Sequence, residues 1–237
     1  MSKPTSPRQD QEAADSVCAE VRSIVARFLE RDDRPNQVIP LTDATRGFAL
    51  RVIQHSPHYG RHECRASCAF CCHTAVTVAP PEALTLMAYL REHYAADQLT
   101  EVRQRIETNA DQASRMTHLE YSGSNIRCAL LTDDGNCRVH PVRPLACAGF
   151  LSTSRAACEA EFNRVPGRSP VPTDRHAMLA VLSASYGLKE ACQSAGVDGE
   201  FYELHHALRC IWDRPDAPRA WATGQALFAG CVRASTW

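Results

Sequence analysis

The chain has 237 residues, a formal net charge of −1 and an apolar fraction of 44%. This length and composition allow a hydrophobic core, and the absence of basic runs interleaved with aromatics does not favour nonspecific nucleic-acid binding. No apolar stretch reaches the roughly 20 residues that a membrane-spanning helix needs. We therefore expect neither a membrane nor a nucleic acid as a partner.

Two helices are predicted before the first cysteine-rich region. Apolar residues at three- and four-residue spacing predict a helix over about residues 10–31, which stops before Pro35. A second helix is expected to begin at the capping residue Thr42 or Asp43 and to end near Pro57.

The middle of the chain mixes one short strand with helices. The run VTVA over residues 76–79 is long enough for a short strand, and Pro80 and Pro81 then open a helix, with Pro81 expected at its first position. A further helix is expected from Asp97 or Thr100 to about Met116, with a polar outward face.

The remaining elements are a turn and three more helical patterns. The run TDDGN over residues 132–136 predicts a small hairpin or knuckle between two cysteines. Apolar residues at helical spacing recur over about 177–186, 201–212 and 220–232.

These elements predict a mainly α fold. Because strands and helices do not alternate regularly, a parallel α/β sheet is not expected. We expect an irregular cysteine-rich metal-binding segment with short strands or a hairpin, packed among six or seven helices in a single domain over 1–237. Its parts would be N-terminal helices over 1–60, the cysteine-cluster segment over 61–165 and C-terminal helices over 166–237.

Eight of the twelve cysteines fall in less than half of the chain. The first residues (MSKPTSPRQD) lack the apolar core of a secretory signal, so we expect a cytoplasmic protein whose cysteines are thiols. Dense cysteines in such a protein favour metal binding, and a soft tetrahedral centre needs thiolates from separate segments. The predicted ligands are Cys64, Cys68, Cys71, Cys72, Cys128, Cys137, Cys147 and Cys158.

The other four cysteines lie within predicted helices beside apolar neighbours. They are Cys18, Cys192, Cys210 and Cys231. Because free cysteine is often buried as a small hydrophobe, we interpret these four as core residues.

Several basic side chains adjoin the clustered cysteines. His73 and His140 could replace a thiolate as metal ligands or could be neighbours of the site only. Arg143 could offset thiolate charge from outside the ligand set, or could form a surface ion pair. His205 and His206 lie on a predicted apolar helix and are interpreted as structural.

The cysteine motifs resemble a known family. The strings CRASCAFCC, VTVAPPEA, CALLTDDGNC and RVHPVRPLAC, over roughly residues 64–160, are similar to the YkgJ-type cysteine-cluster family, whose members are described as zinc- or iron-chelating. The resemblance implies metal chelation by these cysteines, with Cys158 as the further cysteine after the Arg-Pro element. One departure is that three residues separate Cys64 from Cys68, where many members have two.

The spacing alone does not separate the metals. Four thiolates suit either zinc or an iron–sulfur cluster, and we favour iron in an iron–sulfur centre, with zinc as the alternative. The adjacent Cys71 and Cys72 cannot easily point to one centre, which indicates two nearby centres or one ligand with an unligated thiol beside it. The role would be redox chemistry, metal handling or structural support.

Two other functions stay open at this point. The pattern Cys-x-x-x-Cys-x-Phe-Cys resembles the cluster motif of radical S-adenosylmethionine enzymes, although that superfamily is built on a βα barrel that the predicted elements do not suggest. Related cysteine segments occur in flagellin lysine methylases, so the chain could be a metal-dependent enzyme that modifies a protein or small molecule. It could also be a zinc-stabilised module that binds a protein partner.

Overall fold

Helices form most of the described part of the chain, which in this computed structural model covers residues 6–164 and 166–234. Positions 1–5, 165 and 235–237, which include ends of the predicted segments, lie outside the described residues. The α-helices in the described part are α1 (Pro7–Leu29), α2 (Val38–Ile53), α3 (Pro80–His93), α4 (Ala96–Ala113), α5 (His118–Gly123), α6 (Leu145–Gly149), α7 (Arg155–Phe162), α8 (Arg175–Ser194), α9 (Leu204–Ile211) and α10 (Ala217–Ala222).

Two short strands join the middle of the chain to its C-terminal part. β1 (Thr77–Val78) and β2 (Tyr202–Glu203) pair antiparallel, with Thr77 opposite Glu203 and Val78 opposite Tyr202. This pairing places the start of α9 next to the segment that follows the cysteine run.

The core forms where helices cross helix α8. α8 packs against α1, α2 and α6, and α9 packs against α3 and α4. The backbones of α1 and α8 approach closely at Gly187, where an added Cβ atom would lie 2.5 Å from the carbonyl oxygen of Cys18. Because the backbones of α1 and α8 meet there, the position needs a residue without a side chain.

Buried acidic residues stand at the starts of three helices, α3, α8 and α9, where the helix dipole favours negative charge. Asp174 caps α8 and also accepts hydrogen bonds from the Ser56 hydroxyl at 2.6 Å and from His62 Nε2 at 2.8 Å. Burial would raise the pKa of Asp174, but these hydrogen bonds outweigh burial and lower it. The loop that leads into the cysteine run is therefore fixed to the start of α8.

The structure confirms the mainly α fold, with its cysteine-rich segment and short antiparallel strands. It contains more helices than predicted because α5, α6 and α7 are too short for the helical periodicity to show. α2 begins earlier than predicted, since a 3-10 turn over Arg34–Gln37 leads directly into it. The helix predicted over 220–232 is wrong beyond Ala222, where the chain turns and Gly224 takes a positive φ of 76°.

The cysteines outside the cluster have different surroundings. Cys192 is buried in the core, as predicted, and Cys18 is half-buried with its Sγ 3.7 Å from Glu190. Cys210 and Cys231 belong to the core, as predicted, since Cys231 is buried and Cys210 packs against the same hydrophobic cluster, but they are paired with each other and are not separate thiols. Pairing across 21 residues cannot be inferred from helical spacing alone.

Among the described helices, none combines the length and apolar character that crossing a bilayer requires. The division into one domain with three parts stays a prediction. The hydrophobic core nevertheless draws on residues from Val21 in α1 to Cys231 near the C-terminus.

Replacing Gly187 with Ala should lower the free energy of unfolding by about 1–3 kcal/mol, because the new methyl group forces α1 and α8 apart. Chemical denaturation measures this loss. Gly123→Ala is the matched control, since nothing lies within 4 Å of a Cβ atom added there. Equal stabilities for the two variants would contradict the proposed close approach.

Candidate metal centre

The cysteine run is a loop built from tight turns. The Cys68 amide donates to the carbonyl of Arg65 and the Cys72 amide to that of Ala69, each at 3.0 Å. A 3-10 turn covers Phe70–His73. Because the chain reverses direction at short intervals, the four cysteines of this run lie in one compact loop.

The second cysteine segment is joined to the first through its backbone. The Cys128 amide donates to the Cys72 carbonyl at 2.9 Å. The predicted turn at 132–136 forms, with Gly135 at a φ of 81° and an isolated bridge between Leu131 and Cys137. Asn136 Oδ1 in this turn accepts from the Ser67 amide at 3.1 Å, which fixes the turn against the cysteine run.

Helix α6 carries Cys147 and is held by a buried carboxylate. One oxygen of Glu82 accepts from the Leu145 amide at 2.8 Å, and the other accepts from the Ala79 amide at 2.9 Å. Burial raises the pKa of Glu82. The same side chain therefore fixes the starts of α3 and α6 relative to each other.

Contacts with the segment around Ser152 fix the start of the cysteine run. The Ser152 amide donates to Cys64 Sγ at 3.4 Å, and its carbonyl accepts from the Glu63 amide at 2.9 Å. The Glu63 carboxylate accepts from the Arg155 amide at the start of α7 at 2.6 Å. Cys158 lies one turn further along α7.

Five thiols form a set that we name the inner group. The pKa of each thiol in the set is shifted by another member, or its own charge shifts the pKa of another member. The members come from the cysteine run, from both sides of the 132–136 turn and from α6. They are half-buried, and burial is the main cause that raises the pKa of Cys137, to about 11, and of Cys147, to well above its ordinary value. The inner group is Cys71, Cys72, Cys128, Cys137 and Cys147.

The pKa values of the adjacent residues Cys71 and Cys72 are shifted in opposite directions. A hydrogen bond from the Cys72 thiol lowers the pKa of Cys71 to about 7, with help from the Arg143 guanidinium and against desolvation. The same hydrogen bond raises the pKa of Cys72. Cys71 is therefore the inner thiol most easily converted to the thiolate that a metal binds.

The other three cysteines, Cys64, Cys68 and Cys158, form an outer group. Cys64 is exposed and the other two are half-buried. Burial raises the pKa of Cys64 and of Cys158, and charges on Cys68 and Cys71 raise both further. The charge of Cys71 therefore influences thiols of both the outer and the inner group.

The three basic residues named from the sequence have distinct environments. His73 Nδ1 lies 2.9 Å from the Ala69 carbonyl, and its ring meets the Phe162 ring edge-on at 4.8 Å. His140 is exposed, and partial desolvation together with Arg143 lowers its pKa. Arg143 lowers the pKa of Cys71, Cys137 and Cys147, so its charge favours thiolates in the inner group.

A further histidine lies against the inner group. Burial lowers the pKa of His205, whereas the charges of Glu203 and Cys128 raise it. However, the Ala129 amide donates to His205 Nε2 at 3.2 Å, while Nδ1 faces Glu203 at 2.7 Å. This geometry requires the neutral tautomer with its proton on Nδ1, and protonating Nε2 would break the contact with Ala129.

The interpretation of His205 as purely structural missed this proximity to Cys128. The sequence signal that could have indicated it is a histidine two residues after a glutamate at the start of an apolar helix, since such a pair is costly to bury unless it is partnered. His206, by contrast, contacts the Ser114 hydroxyl at 2.8 Å.

The donor chemistry of this cluster fits zinc or iron. Thiolates are soft ligands that suit both metals, and Arg143 supplies compensating positive charge. Within residues 6–164 and 166–234, no three or more His, Cys, Asp or Glu side chains converge as a ready-made metal site. The assignment of individual ligands therefore stays a prediction.

In metal-free, reduced protein, the alkylation rate of Cys71 should rise with a midpoint near pH 7, whereas Cys147 should react only at much higher pH. Pulsed iodoacetamide labelling followed by peptide mass spectrometry gives both profiles. Arg143→Gln should move the Cys71 midpoint upward, because it removes the charge that favours the thiolate. A Cys71 midpoint at or above the ordinary value of 9.0 would contradict this account.

Comparison with known proteins agrees with the chemistry of the cluster. Residues 63–166 match the model of the family CxxCxxCC, described as "Putative zinc- or iron-chelating domain". Neither the curated proteins nor the solved structures contain a match to the chain. The matched range includes all eight clustered cysteines, as the resemblance implied. Residues 63–166 are therefore similar to the CxxCxxCC family.

Proposed function

We propose that this protein binds zinc or iron through its clustered cysteines, with the inner group as the main donor set. The observation that carries the proposal is that five half-buried thiols from three separate stretches of chain lie near enough for their charges to shift one another's pKa, and that one arginine lies near enough to shift the pKa of three of them. The family description as zinc- or iron-chelating supports the same function.

The electrostatics of the inner group favour a bound cation. Charges on Cys128, Cys137 and Cys71 each raise the pKa of Cys147, so several thiolates in this space repel one another. A single guanidinium offsets only part of that repulsion. A divalent or cluster-bound metal would supply the missing positive charge and would convert the thiols to ligands. Simple core packing would not require thiols to be neighbours of one another.

Metal binding would also complete the local structure. Since no three donors converge as they stand among the described residues, the thiolates would move toward a common centre when the metal binds. The loops that carry them have little regular structure of their own. Binding energy would therefore appear partly as added stability of this segment.

We favour an iron–sulfur centre in the inner group, with zinc as the alternative. Four thiolates can bind either one. The outer group would then serve as a second, more accessible donor set. Its member Cys64 is exposed, so metal or reductant can reach this side of the cluster from solvent. Such access suits redox chemistry or metal handling better than a purely structural site.

An enzyme and a partner-binding module remain alternatives. The described residues contain two short strands and no βα barrel, which weighs against the radical S-adenosylmethionine resemblance. A surface groove of about 440 Å³ between α2, α3 and α10 is lined by residues such as Ile39 and Leu84 but by no cysteine. A substrate pocket at the metal is therefore not part of our proposal.

We also propose a cytoplasmic location, because the reducing cytosol keeps the clustered thiols reduced.

Anaerobic purification followed by elemental analysis and a visible absorption spectrum tests the function. We expect iron with sulfide and a brown protein, or else stoichiometric zinc in a colourless one. Protein that binds neither metal after anaerobic reconstitution would contradict the proposal.

Replacing Cys147 with Ser should lower metal content per chain to less than half, because it removes a thiolate from the centre of the inner group. Cys192→Ser is the matched control, since Cys192 is a buried cysteine whose pKa is raised by burial and Asp198 and by no other thiol. Metal content should stay unchanged in the control. Equal metal content in both variants would show that Cys147 is not a ligand.

A further inference from the structure

A buried polar network lies behind the cysteine segment, and two of its members are outside the family match. Glu203 caps α9 by accepting from the His206 amide at 2.7 Å, and its other oxygen accepts from His205 Nδ1 at 2.7 Å. The exposed fractions of Glu203, His205 and Asn109 are 0%, 3% and 7%. Buried polar groups of this kind are destabilising unless each finds a partner.

The partners of the network are the two peptide groups that flank Cys128. His205 Nε2 accepts from the Ala129 amide at 3.2 Å. Asn109 Nδ2 donates to the Arg127 carbonyl at 2.8 Å and lies 3.3 Å from the same His205 nitrogen. Because the Arg127 carbonyl can only accept, the side-chain amide of Asn109 must be oriented with its nitrogen toward that carbonyl. The same nitrogen also donates to His205 Nε2.

The direction of the Cys128 side chain depends on these two peptide groups. With the carbonyl before Cys128 and the amide after it both held, the backbone at Cys128 has little freedom to rotate. Its own amide is also engaged by the Cys72 carbonyl at 2.9 Å. Groups on α4 and α9 therefore fix the direction of the Cα–Cβ bond of Cys128, although neither helix carries a clustered cysteine.

We propose that His205, oriented by Glu203 and supported by Asn109, is a positioning residue for the Cys128 thiol. The part of the inference that concerns metal affinity rests on the proposed function. The metal centre then extends beyond residues 63–166 into the C-terminal helices, which thereby gain a role in metal binding. Outer groups that orient metal ligands typically change metal affinity by about 10- to 100-fold when they are removed.

Titration of metal-free, reduced protein with Co²⁺ tests the proposal, because thiolate-to-cobalt charge-transfer absorption reports both affinity and the number of bound thiolates. His205→Leu should weaken Co²⁺ binding about 10-fold or more and reduce the charge-transfer intensity per bound ion. His205→Gln retains an acceptor near the position of Nε2 and should restore most of the affinity and intensity.

His206→Leu is the matched control. His206 is the next residue on α9, is also 3% exposed, and contacts Ser114 and Arg209 instead of the segment around Cys128. It should lose stability as His205→Leu does but keep the wild-type spectrum and affinity. Equal Co²⁺ affinity for the two leucine variants would overturn the proposal. If His205→Leu does not fold, Asn109→Ala removes the other support of the same segment and should weaken binding in the same direction.

A second readout separates this inference from the proposed function. The alkylation rate of Cys128 in metal-free protein should rise in His205→Leu and not in His206→Leu, because only the first loosens the backbone at Cys128. An unchanged rate would overturn the positioning role even if the wild-type protein binds metal. Wild-type protein that binds no metal, combined with a raised rate in His205→Leu, would leave His205 as a positioning residue and would refute the metal function alone.

Discussion

The hydrogen bond from the Cys128 amide to the Cys72 carbonyl joins two cysteine segments that are more than fifty residues apart in sequence. This bond and the one from the Ser67 amide to Asn136 Oδ1 hold the cysteine run against the 132–136 turn, so that thiols from both loops face the same region. Because loops of this kind have little apolar surface to bury, their positions must come from specific polar contacts. The cluster therefore depends on backbone hydrogen bonds as much as on the cysteines themselves.

The helices supply these contacts from buried acidic residues near their N-termini. Glu82, Asp174 and Glu203 each stabilise the start of a helix, where the dipole favours a negative charge, and each also holds a loop or helix of the cysteine segment. Glu203 does so through His205, which meets the loop beside Cys128. One side chain thus couples helix formation to the placement of donors. Loss of any of the three would disturb the local fold and the proposed metal site together.

The sequence predicted which residues belong to the candidate site better than it predicted how they are arranged in space. Dense cysteines and the Gly135 turn indicated a metal cluster, because few other roles place eight thiols so close in sequence. The two prolines at positions 80 and 81 correctly marked the start of α3, since proline suits the first helical turn, although the helix begins at Pro80 and not at Pro81. The division into inner and outer groups was not predictable, because spacing within loops does not determine which thiols face one another. The role of His205 depends on a contact across the fold that no local pattern encodes.

Short helices and chain reversals account for most of the remaining differences. α6 and α7 have five and eight residues, too few for a 3.6-residue period to stand out from chance. The expected helix beyond Ala222 failed because apolar spacing continued through a glycine that takes a left-handed conformation. In each case tertiary contacts, and not the periodicity, decided the backbone. The backbone of the cysteine segment is likewise determined by tertiary contacts, namely its hydrogen bonds to other segments of the chain.

X-ray absorption at the iron and zinc edges of anaerobically purified protein tests the central claim most directly. We predict that one of these metals is present with sulfur atoms as its main neighbours at about 2.3 Å, the distance of a metal–thiolate bond. A Cys147→Ser variant should show fewer sulfur neighbours per metal or no metal. A first shell made only of oxygen or nitrogen, or the absence of both metals after reconstitution, would contradict the account.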